Sequence, residues 1–165
     1  MARLSKVILL CGKVCSGKSF YARSLKEKVN GVILSCDELV TSIMGYYLGD
    51  KHDEIVLRTK KYLYKKSCEI VSLGIDVILD LGFWSKKERE EVSNYYNELD
   101  IIYEWHYIDI NDEQWIKNIN ERNILVKRGL SSDYYIDKEI INKVNLLFEK
   151  PSKSEVDIWI NNNRK

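Results

Sequence analysis

Residues 12–19 read Gly-Lys-Val-Cys-Ser-Gly-Lys-Ser, a spacing suited to a backbone cradle for phosphate. The chemistry is electrostatic. Gly12 and Gly17 let the chain turn tightly, so that successive N–H groups of Lys13, Val14, Cys15 and Ser16 converge on an anion. A helix opening at Lys18, Ser19 and Phe20 adds the partial positive charge of its N-terminus at the same spot. The Lys18 ammonium is expected at the β- and γ-phosphates, and the Ser19 hydroxyl is expected to ligate Mg²⁺. These residues predict a site for a nucleoside triphosphate.

Two carboxylates are expected beside that loop. Asp37 follows the apolar run 32–35 and Asp80 ends the run 77–80, which brings both to the carboxyl edge of a parallel sheet, where ligands of such sheets sit. Asp37 there can accept the proton of an attacking hydroxyl, or it can cap the helix that Glu38, Leu39 and Val40 begin. Asp80 can hold Mg²⁺ through water, or it can serve as a structural ion-pair partner. The two acids are interchangeable on sequence alone. Arg122 and Arg128 flank a stretch that could close over a nucleotide and oppose the charge of phosphoryl transfer, although a surface helix carries arginines too. Arg89, in Lys86-Lys87-Glu88-Arg89, reads as solvated, and His106 reads as packed inside a strand. The basic, tyrosine-rich stretch with Arg58, Lys60, Lys61, Tyr62, Tyr64, Lys65 and Lys66 either lines an acceptor pocket or, more simply, forms a solvated face.

The elements needed to position these groups alternate along the chain. Apolar, β-rich runs at 7–11, 32–35, 77–81, 101–108 and 156–160 are separated by helical patterns near 18–29, 52–73, 85–99, 112–123 and 137–148. Runs apolar nearly throughout suit parallel strands covered on both faces. The expectation is therefore an α/β/α three-layer fold with a five-stranded parallel sheet, built as one domain over residues 1–165. Residues 45–51 and 123–135 look irregular, the second as a small lid, and residues 161–165 look like a frayed tail.

Composition narrows the class. With 45% hydrophobic and 31% charged residues and a single proline, disorder is excluded. A net charge of +1 gives no electrostatic signature of nucleic acid or an anionic membrane, so a nucleic-acid partner is not favoured. No apolar run is long enough for a membrane span, and residues 1–6 lead straight into the first strand, which makes a cytoplasmic location the expectation. Cys11, Cys15, Cys36 and Cys68 lack zinc-ligand spacing and are expected as reduced thiols. Cys15, inside an anion-binding loop, is either a thiol of lowered pKa or an inert small residue.

The chain resembles the small P-loop kinases of the AAA-domain type, a group related to polynucleotide kinase, chloramphenicol phosphotransferase and zeta toxin. The resemblance is carried by residues 12–19, SCDEL at 35–39, VILDLGFWSKKERE at 77–90, EWHYIDINDEQWIKNINERN at 104–123 and LLFEKPSKSE at 146–155. It implies a P-loop NTPase fold that uses ATP and Mg²⁺ to phosphorylate a hydroxyl. Lys18 and Ser19 would contact phosphate and metal, Asp37 would be the general base, Asp80 the strand-end carboxylate, and Arg122 the lid arginine. Many relatives have an arginine three residues after the base, where this chain has Val40. The acceptor is then a small molecule recognised by other groups, with a nucleic-acid 5′-hydroxyl, a zeta-like toxin substrate or a non-catalytic ATP-binding role as alternatives.

Overall fold

Ile8, Leu10, Ile78 and Ile108 point to one side of the sheet and Val7, Leu9, Cys11, Val77, Leu79 and Tyr107 to the other, all of them buried. That two-sided burial is what apolar central strands require. The computed structural model describes residues 4–45 and 49–163. Its strands β1 (Val7–Cys11), β2 (Gly31–Ser35), β3 (Asp76–Gly82), β4 (Tyr103–Asp109) and β5 (Ile158–Asn161) form one sheet in the order β2-β3-β1-β4-β5. Every pairing is parallel, and β1, which feeds the phosphate loop, is the central strand. The expected α/β fold with a five-stranded parallel sheet is present.

Helices α1 (Lys18–Lys28), α2 (Cys36–Met44), α3 (His52–Val71), α4 (Lys86–Glu98), α5 (Asp112–Lys127) and α6 (Lys138–Leu147) cover the sheet. On one face, Leu63 and Val71 of α3 pack with Val92 and Tyr96 of α4 and Val40 of α2. On the other, Ala22 of α1 meets Ile8, Leu10 and Ile108. Trp115 and Ile119 of α5, Val144 of α6 and Ile136 form a third cluster, against which Val14 and Cys15 of the phosphate loop rest.

Most helix starts are satisfied locally. The side chains of Ser35, Ser85, Asn111 and Asp137 accept the N–H of Glu38, Glu88, Gln114 and Ile140. Helix α1 starts at Gly17 without a side-chain cap, so its first N–H groups remain available for a ligand.

Four sequence expectations change. Residues 36–44 are a helix, hidden by its brevity and by having only Cys36 and Val40 buried. Residues 123–127 continue α5, so the irregular segment is 128–137 rather than 123–135. Residues 161–163 are tied down instead of frayed: Asn162 N donates to Asp109 O, and Asn163 Oδ1 accepts Asn111 N. Of the irregular stretch 45–51, residues 46–48 lie outside the described residues, as do 164 and 165, and residues 49–51 form a 3-10 turn. Among the described residues no helix is long and apolar enough to cross a membrane.

Candidate active site

The phosphate loop is held open from outside. Trp115 Nε1 donates to Val14 O at 2.7 Å, Asn118 Nδ2 to Cys15 O at 2.9 Å, and Asn162 Nδ2 to Ser16 O at 2.7 Å. Three successive carbonyls are thus satisfied from outside the loop, and Ser16 N–H donates to Lys13 O at 3.2 Å, a closed turn of the kind that forms an anion nest. Backbone closeness explains the glycines. A Cβ on Gly12 would lie 2.7 Å from Ser16 Oγ and 3.0 Å from Ile108 O. Gly17 has φ +98°, and a Cβ there would collide with Asn162 Nδ2. Ser16 Oγ is buried and has no hydrogen-bond partner among the described residues, an unmet polar group within the cradle. Lys18 Nζ donates to Gly12 O at 2.9 Å and Lys13 O at 2.7 Å, folded across the loop mouth. Lys13 itself pairs with Asp112 and lies 4.2 Å above the Trp115 ring. Phe20 can offer only its N–H, because its ring is 74% exposed.

The acids are sorted by geometry. Ser19 Oγ donates to Asp80 Oδ2 at 2.7 Å, so the hydroxyl and carboxylate expected at a metal are already adjacent. The β1–β3 register slips between Leu9↔Leu79 and Cys11↔Gly82, a bulge at Asp80 of the kind that re-aims a side chain. Asp37 is not the cap of α2, since Ser35 holds that position, and among the described residues its carboxylate has no hydrogen bond or ion pair. Although it opens to solvent, crowding by the surrounding protein pushes the Asp37 carboxyl above its ordinary value, and Lys18 opposes this most strongly. Asp80, Arg122 and Lys60 are the other charges it feels, so all of these groups lie within electrostatic reach of Asp37.

Arg122 reaches that cleft from α5. Its Nη1 lies 3.7 Å from Cys15 Sγ, its Nε donates to Tyr134 O at 3.2 Å, and its guanidinium stacks 4.5 Å over the Tyr134 ring. Asp133 stands 3.7 Å from Nη2. Burial pushes the Tyr134 hydroxyl up to about 12, with Asp37 as the next cause. Residue Asn123 clamps the end of the 128–137 segment by exchanging two hydrogen bonds with the Ile136 backbone.

A family profile described as AAA domain matches residues 7–129, most of the chain, including the phosphate loop, Asp37, Asp80 and Arg122 but not residues 130–137 or Asn162. The chain belongs to this AAA-domain family. Solved structures similar to it are small P-loop kinases. A putative kinase from Chloroflexus aurantiacus J-10-fl superposes with a TM-score of 0.72 at 14% identity, covering 98% of this chain and 89% of that one. A sugar kinase from Janibacter sp. HTCC2649 gives 0.65 at 12% identity over 96% and 86%. The Mycobacterium tuberculosis APS kinase CysC, in complex with AMPPNP and APS, gives 0.63 at 14% identity over 98% and 90%. No curated protein matches closely enough to be informative.

Within this AAA-domain chain, the structure brings Gly12–Ser19 residues, Asp37, Asp80 and Arg122 together, but not Arg128. Arg128 is exposed at the end of α5, and among the described residues its side chain has no hydrogen bond or ion pair. Arg89 is buried rather than solvated, 3% exposed, donating to Phe83 O, Trp84 O and Glu155. His106 is packed as expected, between Tyr21 Oη and Glu104. Trp115, Asn118 and Asn162, which set the loop, carried no motif in the sequence. For Cys15 the inert reading holds: burial pushes the thiol up more than Arg122 pulls it down. Iodoacetamide at pH 7 is therefore expected to alkylate Cys15 more slowly than an unstructured thiol, with the rate still rising above the usual thiol range. Peptide mass spectrometry over time checks this, and alkylation faster than free cysteine at pH 7 would reverse it.

Proposed function

We propose that the protein is an ATP- and Mg²⁺-dependent phosphotransferase that moves the γ-phosphate to a hydroxyl of a small molecule. The observation that carries this reading is the Asp37 carboxylate, left uncommitted to capping by Ser35 and within electrostatic reach of Lys18 and Arg122. The unmet N–H groups of α1, the orphan Ser16 Oγ and the Ser19–Asp80 pair fit a triphosphate with its ion. When bound, Mg²⁺ would be held by Ser19 and Asp80 and would offset phosphate charge, with further ligands from phosphate and water. Asp37 takes the proton of the acceptor hydroxyl as its oxygen bonds to the γ-phosphorus, and the bond to the β-phosphate oxygen breaks to release ADP. Lys18 and Arg122 stabilise the charge that spreads over the transferring group.

Transfer of label from γ-labelled ATP across sugars, nucleosides, antibiotics, sugar nucleotides and oligonucleotides tests the proposal. Labelled small-molecule product that disappears with Asp37→Asn is the expected outcome. Label released only as inorganic phosphate would overturn it.

Residues 128–137 act as the lid in this reading, with Arg122 as its hinge-side cation. Because Asn123 already fixes Ile136, the responsive part is 128–135. Hydrogen exchange there is expected to slow with a non-hydrolysable ATP analogue and Mg²⁺, while β1 and β3 change little. Arg122→Ala is expected to lower turnover more than nucleotide affinity. Unchanged exchange together with normal activity in that variant would remove the lid from the mechanism.

A further inference from the structure

The acceptor side of the cleft has its own polar pair. Helix α2 contains no basic residue, and Val40, three residues beyond Asp37, is buried in the core. The cation there comes from α3. Cys36 Sγ lies 3.9 Å from Val56 O, and Lys60 is one turn further along the same face of α3. Its Nζ pairs with Glu88 Oε1 at 2.5 Å, with the two side chains only 16% and 26% exposed. Glu88 occupies the third residue after the Ser85 cap of α4, where a capping box would fold its carboxylate back on the cap; here it holds Lys60 instead. Lys60 is also among the charges that act on Asp37 and Cys36, and Glu88 acts on Cys36. Three helix segments thus converge beside the base: the start of α2, the middle of α3 and the start of α4.

Resting on the phosphotransferase reading above, we propose that Lys60 and Glu88 recognise the acceptor, and that the acceptor is a neutral polyhydroxyl compound rather than a phosphorylated or otherwise anionic one. A lysine beside a carboxylate offers one donor and one acceptor, the complement of two neighbouring hydroxyl groups, while a third hydroxyl meets Asp37. An anionic group at the same place would face Glu88, Asp37 and Asp80, with Lys60 already neutralised by Glu88 and with Lys18 and Arg122 committed to the nucleotide's phosphates. Lys60 therefore stands where Val40 provides nothing, and its role is specificity.

The test compares neutral acceptors with their phosphorylated counterparts: ribose with ribose 5-phosphate, glycerol with glycerol 3-phosphate, and nucleosides with their 3′-phosphates. Transfer to neutral members is expected. Lys60→Met should raise the acceptor KM by about tenfold to a hundredfold with kcat and the KM for ATP nearly unchanged, and it should lower the thermal unfolding midpoint because Glu88 is left unpaired. Glu88→Gln should narrow the preference for the neutral member by about tenfold. Preferred transfer to phosphorylated members, or an unchanged acceptor KM in Lys60→Met, overturns this inference while leaving the kinase reading in place. Absence of transfer to every acceptor, with ATP bound, overturns both.

Discussion

Lys18→Ala is expected to lower ATP turnover by at least about 10³-fold, the upper range for removing one preorganised electrostatic donor. The side chain lies folded across the loop, donating to Gly12 O and Lys13 O, so it is held within reach of the phosphates that the loop's N–H groups define. Nothing else there replaces its charge: Lys13 is turned outward to Asp112 and the Trp115 ring, and Arg122 is engaged by Tyr134 and Asp133. The fold should barely notice, because Lys18 belongs to none of the apolar clusters and its loss leaves two loop carbonyls for water to satisfy at a cost of about 1 kcal/mol. Turnover and calorimetric ATP titration, beside a thermal melt, separate these effects. Wild-type turnover in a folded variant would rule out the loop as the nucleotide site.

The phosphate loop was legible because its requirements are local: tight turns, a strand behind and an uncapped helix ahead. Asp37 and Asp80 were legible only approximately from where the apolar runs stop: Asp37 lies in the first turn of α2, two residues after β2 ends, and β3 continues two residues past Asp80. Residues whose meaning depends on distant partners were not. Arg89 sits among charged neighbours and looks solvated, yet its partner Glu155 arrives from before β5 and the arginine is buried against it. Asn162 looked like tail because it lacks periodicity, whereas its amide fixes the Ser16 carbonyl. Asn123 ended the apolar pattern of α5 and so looked like the start of a loop. Its buried amide instead substitutes for backbone partners of Ile136, a polar role that a hydrophobic period does not encode. Lys60 was hidden beside Lys61, and only the direction of α3 separates the inward lysine from the exposed one.

Asp37→Asn and Asp80→Asn are expected to fail in different ways. An amide at position 37 keeps the shape but cannot take the hydroxyl proton, so acceptor phosphorylation should fall by about 10²- to 10⁴-fold with ATP affinity nearly unchanged. At position 80 the amide weakens the partner of Ser19, so the Mg²⁺ concentration needed for half-maximal rate should rise while saturating Mg²⁺ restores much of the activity. The pH profile adds an independent check. The base must be ionised, and crowding by the surrounding protein holds the Asp37 carboxyl above its ordinary value against the pull of Lys18. Raising a carboxyl's pKa keeps it protonated to higher pH, so the acid limb of kcat/KM should lie above that of an ordinary aspartate, near pH 4, and should vanish in Asp37→Asn. The same shift has a sign for stability. A carboxyl raised by folding contributes most below its unfolded value, and that contribution is lost as pH rises through the folded one, so Asp37→Asn should stabilise the ligand-free protein slightly at neutral pH. If Asp80→Asn removes the acid limb while Asp37→Asn raises the Mg²⁺ requirement, the two carboxylates hold each other's roles.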